Sequence, residues 1–151
     1  MRIVEDDLTG SEIQGLLRDH LEQMHANSPP GSVFAFDIDR LRAPDVTFWS
    51  VWDDDMLLGC GALKALDGDT GEIKSMRTGR DHLRKGVAAG LLDHMIANAR
   101  ERGYRHLSLE TGSGAAFEPA LALYRRRGFV DGDEFDGYGR TAFNQFLHLE
   151  L

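Results

Sequence analysis

A mixed α/β fold is predicted by three features of this 151-residue sequence. In the first half, runs rich in β-branched and aromatic residues follow one another across tight polar turns, the pattern of an antiparallel meander. A strongly periodic helix occupies the middle. After it, strand and helix patterns alternate to the end.

The elements follow in order. Residues 2–5 read as a short strand. Thr9-Gly10-Ser11-Glu12 has capping-box spacing, and Ile13, Leu16, Leu17, Leu21 and Met24 recur at helical intervals after it. That helix reaches about Ala26, where Ser28-Pro29-Pro30-Gly31 breaks it. A short helix is expected around residues 37–42. Residues 46–52 and 56–66 form a hairpin across Asp53-Asp54-Asp55, and Gly59 and Gly61 within it mark a bulge or a close backbone approach. Residues 70–77 add the third strand of the meander. A polar loop leads to a helix over about 85–102, with Val87, Leu91, Leu92, Met95, Ile96 and Ala99 on one apolar face and Gly103 as its stop. Residues 106–110 form a strand, about 116–127 a helix closed by Gly128, and 129–131 and 141–151 late strands around an acidic loop. No repeat or linker divides the chain, so one domain over 1–151 is expected.

Composition narrows the function. Hydrophobic residues make up 42%, enough for a real core. The formal net charge of -8 argues against nucleic acid as a partner. It would suit an amine-bearing substrate, although solubility explains it equally well. Cys60 is the single cysteine and lies in an apolar run, where a buried structural thiol is expected. No metal-ligand spacing of Cys and His is present, so no metal is expected. The first residues turn acidic at once, unlike a signal peptide, and no run approaches the roughly 20 apolar residues of a membrane span. A cytoplasmic protein with no membrane partner is expected.

The loop before the central helix carries the first chemical signal. A helix N-terminus offers N–H groups without internal partners and the positive end of the macrodipole. Gly86 would let an anion approach the backbone, Ala88 and Ala89 keep the first turn slim, and Arg80, Arg84 and Lys85 add charge. A pyrophosphate would fit. Glu72-Ile73-Lys74-Ser75-Met76-Arg77 followed by His82-Leu83-Arg84-Lys85-Gly86-Val87-Ala88 resembles the central motif of the GNAT N-acetyltransferases. Leu107-Ser108-Leu109-Glu110-Thr111 and Leu123-Tyr124-Arg125-Arg126-Arg127-Gly128-Phe129 resemble that superfamily's next strand and helix. Two departures stand out: Leu83 occupies a position that is usually polar, and Phe117 falls near a usual Asn.

The resemblance implies a mostly antiparallel twisted sheet, splayed between the fourth and fifth strands, with helices on both faces. It implies that acetyl-coenzyme A sets its pyrophosphate on the backbone of Arg84, Lys85, Gly86, Val87, Ala88 and Ala89. The pantetheine arm would lie between the parted strands, near Met76, Arg77 and Thr111. It also implies transfer of the acetyl group to an amine by direct attack in a ternary complex. Tyr124 matches the residue that protonates the departing thiolate, since a phenol with pKa near ~10 is protonated at neutral pH. Glu72 is the candidate base, acting through water, and Glu110 its rival. A backbone N–H near Met76 or Arg77 would meet the oxyanion.

A small-molecule acceptor would be lined by His20, Met24, Ser28, Ser32, Trp49 and Tyr138. Two alternatives stay open: a non-catalytic acyl-coenzyme A sensor, and an acceptor that is a protein N-terminus or lysine. The run Glu110-Thr111-Gly112-Ser113-Gly114 also reads like a nucleotide loop, but too little chain follows it for a doubly wound sheet. A homodimer is expected by analogy with such small domains.

Overall fold

The computed structural model describes residues 1–29 and 38–151. Among these, seven strands form one sheet in the order β1-β2-β3-β4-β5-β7-β6. They are β1 (Arg2–Glu5), β2 (Val46–Asp53), β3 (Met56–Ala65), β4 (Thr70–Thr78), β5 (His106–Thr111), β6 (Val130–Asp131) and β7 (Gln145–Glu150). Every neighbouring pair is antiparallel except β4 and β5. The α-helices are α1 (Ser11–Ala26), α2 (Ile38–Leu41), α3 (Val87–Glu101) and α4 (Glu118–Arg126). Asp37, Ser32, Pro30 and Gly31, which figured in the sequence reading, lie outside the described residues.

Side chains alternate across a sheet, and β2 shows the result. Phe48 joins a cluster with Ile13 and Leu17 of α1 and Leu41 of α2, while Trp49 and Val51 join a second cluster with α3 and α4. Helices therefore cover both faces. The buried face of α3 is the one the periodicity predicts, Val87 through Ala99. Truncating one of its fully buried members, such as Leu92, to Ala would cost about 2–5 kcal/mol.

The capping box does not form. Gly10 is the N-cap of α1 without a side-chain cap, and the Thr9 hydroxyl donates instead to Asp7 Oδ1 at 2.6 Å. With Gly10 as the N-cap, Thr9 lies one residue before the cap, and its amide and hydroxyl both donate to Asp7 Oδ1. The last strand is also shorter than expected. Residues 141–144 form a turn in which Asn144 Oδ1 accepts from Thr141 N at 2.7 Å.

Gly59 and Gly61 sit where β3 meets a bulge of β4. The register slips between Cys60 and Ala62, and Ser75 adopts a positive φ of 54°. A Cβ on Gly61 would lie 2.6 Å from Met76 Sδ and 3.0 Å from Leu91, and one on Gly59 2.7 Å from the Arg77 carbonyl and 3.0 Å from Val87. These contacts bring the start of α3 against the end of β4.

Candidate active site

β4 and β5 pair over three residues: Thr70 with His106, Gly71 with Leu107, and Glu72 with Ser108. β4 then runs on to Thr78 and β5 to Thr111 without further pairing to each other, so the strands part as expected. A cleft of about 250 Å³ occupies the gap. The parted strands line it with Lys74, Met76, Arg77, Glu110 and Thr111. His20 and Met24 of α1 and Tyr124 of α4 also line it, so it is reached from both faces of the sheet.

At the open end of β4 the chain makes one turn of 3-10 helix, Arg80–His82, and enters α3. Gly86 is the N-cap, with φ 81° and no side-chain cap. A Cβ there would meet nothing within 4 Å, so the approach to the first amides of α3 is clear. An L-residue at this φ would be strained. Arg84 and Lys85 are exposed beside it, and Ala88 and Ala89 keep the next positions small. Arg80 does not join them, because its guanidinium bonds both carboxylate oxygens of Asp19 on α1, at 2.5 and 3.3 Å. Arg77 reaches the same Asp19 at 3.4 Å, and its Nε is enclosed with no partner among the described residues. Leu83 is exposed, while Phe117 lines the cleft as a packing side chain.

Tyr124 is buried, its ring edge-on to Phe129 at 5.7 Å. Burial pushes its phenol up to about 12, so it stays protonated at neutral pH. Glu110 stands across the parted strands. Asn144 Nδ2 donates to its Oε2 at 3.2 Å, and the carboxyl is raised above its usual range by burial, with the charge of Glu72 adding to the rise.

Glu72 is 2% exposed and does not line the cleft. Tyr138 donates to its Oε2 at 2.7 Å, and Lys74 Nζ, 3.8 Å from Oε1, donates to the Tyr138 hydroxyl at 3.2 Å. Burial raises the Glu72 carboxyl, with Lys74 opposing, and the Tyr138 phenol is pushed well above its ordinary value by burial and by Glu72. Glu72 thus sits behind Tyr138 and Lys74, hydrogen-bonded to the first and 3.8 Å from the second.

Of the expected acceptor residues, His20 and Met24 line the cleft, and burial beside Arg77 lowers the His20 imidazole to about 4. Ser28 is half-buried next to the end of α1, its hydroxyl enclosed. Trp49 is placed elsewhere. It is 2% exposed, edge-on to His94 at 5.5 Å with Arg102 over its ring. Strand alternation turned it toward α3, away from α1. The sequence reading missed Gln23 on α1, Asn27 at its C-cap, Lys74 on β4, and Asn144. Lys74 was findable, since period 2 places it on the face of Glu72.

Cys60 is buried, its thiol pushed up to about 12, an inert core residue. Among the described residues no three His, Cys, Asp or Glu side chains are grouped to hold a metal ion, and no helix is long and apolar enough to cross a membrane.

Comparison with known proteins extends this geometry. Residues 13–129 match the model of the acetyltransferase (GNAT) family. The chain is 51% identical over 151 residues, the full length of both proteins, to the uncharacterized N-acetyltransferase YsnE of Bacillus subtilis. It is 46% identical over 149 residues to the uncharacterized N-acetyltransferase YedL of Escherichia coli, covering 99% of this chain and 94% of that one. A Bacillus subtilis acetyltransferase solved in complex with CoA shares the fold, with TM-score 0.72 at 21% identity over 99% of this chain and 98% of its own. The parted strands, the open helix end and these matches together make the chain a member of the GNAT family, the acetyl-coenzyme A-dependent N-acyltransferases.

Proposed function

We propose that this protein acetylates the amine of a small-molecule acceptor, with both substrates bound at once and with Glu110 as base and Tyr124 as acid. The supporting observation is that Glu110 and Tyr124 line one cleft at the parting of β4 and β5. The open end of α3 suits the coenzyme pyrophosphate, because uncapped amides and the helix dipole both favour an anion. The coenzyme arm then follows the free edge of β4 past Met76 and Arg77, where a backbone N–H meets the carbonyl oxygen.

The acceptor enters as an ammonium and gives one proton to Glu110, whose raised carboxyl is a better base than an exposed one. The freed nitrogen forms a bond to the carbonyl carbon, and the carbon–sulfur bond breaks. The thiolate takes the proton of Tyr124, and the second proton lost by nitrogen restores the phenol. Glu110 releases its own proton to solvent. A phenol near 12 is a weak acid in water, but a thiolate expelled beside the same buried side chain is itself destabilised, as burial of the Cys60 thiol illustrates. The room in a cleft of about 250 Å³ favours a small acceptor.

Tyr124→Phe tests the assignment, read as free thiol released from acetyl-coenzyme A. The expected result is a fall in kcat of about 10- to 100-fold, with acetyl-coenzyme A affinity unchanged. Loss of affinity and turnover in equal measure would contradict the acid role.

A further inference from the structure

The molecule carries a net charge of -8, yet the cleft presents two cations, Lys74 and Arg77, against one carboxylate, Glu110. Neither cation is saturated among the described residues. Among the described residues Lys74 Nζ makes one hydrogen bond, to Tyr138, and its approach to Glu72 is a loose 3.8 Å. Its side chain is 30% exposed, which leaves ammonium donors facing the cleft. Arg77 shares Asp19 with Arg80, and Arg80 holds the shorter contact. Glu110, for its part, has Asn144 on Oε2 and no described partner on Oε1.

We propose that the acceptor is a zwitterion such as an α-amino acid, its ammonium meeting Glu110 and its carboxylate meeting Lys74, with Arg77 adding positive potential. The inference rests on the acyl-transfer reading of the cleft and adds the chemical class of the acceptor. A polyamine or a multiply charged aminosugar would set a second ammonium beside Lys74, a like-charge contact that costs affinity. A simple monoamine would leave Lys74 facing the bound acceptor without a counter-charge. With the neighbouring Arg80, Asp19 and Glu72 counted in, the formal charges around the cleft sum to zero, so a ligand with both signs leaves that balance unchanged. His20, neutral above about 4, adds no charge at working pH.

The test uses the full chain, acetyl-coenzyme A and a panel of the common α-amino acids, each beside its carboxamide. The carboxamide keeps the amine and side chain but removes the negative charge. Thiol release gives kcat/KM for each pair. The expected result is a preference for the acid of about 10- to 100-fold, the range of one charge-assisted hydrogen bond. Lys74→Gln should collapse that ratio toward one, and Lys74→Arg should retain most of it, which separates recognition from a folding defect. Carboxamides accepted as well as acids, or polyamines accepted in place of both, would overturn this inference and leave acyl transfer intact. An absence of thiol release with every amine would overturn it together with the reading beneath it.

Discussion

At the near end of the β4–β5 pair, Glu72 faces Ser108 across a parallel ladder and is sealed by Tyr138 and Lys74. Gly71 beside it is packed so closely that a Cβ would meet Leu63 at 2.8 Å and Tyr104 at 2.9 Å. Two residues along β5 from Ser108, Glu110 stands beyond the end of the β4–β5 ladder, still paired to Phe146 of β7, and lines the cleft. Both carboxyls are raised by burial, so pKa alone does not distinguish them. The end of the hydrogen-bonded ladder does. One carboxylate is part of the wall, and the other can touch what enters.

The largest effect is expected at the far end of the parted half. Gly86→Glu places a negative side chain, at a strained φ, where the pyrophosphate would sit, and acetyl-coenzyme A affinity measured by calorimetry should fall by more than about 100-fold. Unaltered binding would remove the helix end from the account. The next effects separate the two carboxylates. Glu110→Gln should lower kcat/KM by about 100- to 1000-fold, and Glu72→Gln, which keeps an acceptor for Tyr138, by less than about 10-fold. The reverse order would return the base to Glu72.

Smaller effects concern stability against pH. The Glu72 carboxyl is raised in the folded state, so its contribution is present below its unfolded value and is lost as pH rises through the folded value. Urea unfolding should therefore show Glu72→Gln gaining on the parent as pH rises through that window. His20 runs the other way. Its imidazole is lowered from 6.5 to about 4, so its contribution is present above pH 6.5 and is lost as pH falls toward 4. The loss is up to about 3 kcal/mol, and His20→Gln should flatten it.

Much of the architecture was legible because it rests on periodicity. The apolar face of α3 and the meander were readable from residue spacing. Local competition was not. Thr9 has the spacing of a cap, but Asp7 takes its hydroxyl. The site divided along the same line. Gly86 and Tyr124 stood in recognisable blocks, whereas the choice between Glu72 and Glu110 depends on where two strands separated by an intervening helix stop pairing, a tertiary property without a local signal. Trp49 and Lys74 show the cost of not following strand alternation: it turns the one toward α3 and the other into the cleft.

On this reading the coenzyme arm occupies the parted half of β4 and leaves the paired half alone. Amide hydrogen exchange with and without acetyl-coenzyme A tests it at residue level. The expected result is new protection over residues 73–78 and 86–89, with residues 70–72 unchanged. Protection confined to other strands, or no change along β4 while the ligand is bound, would contradict it.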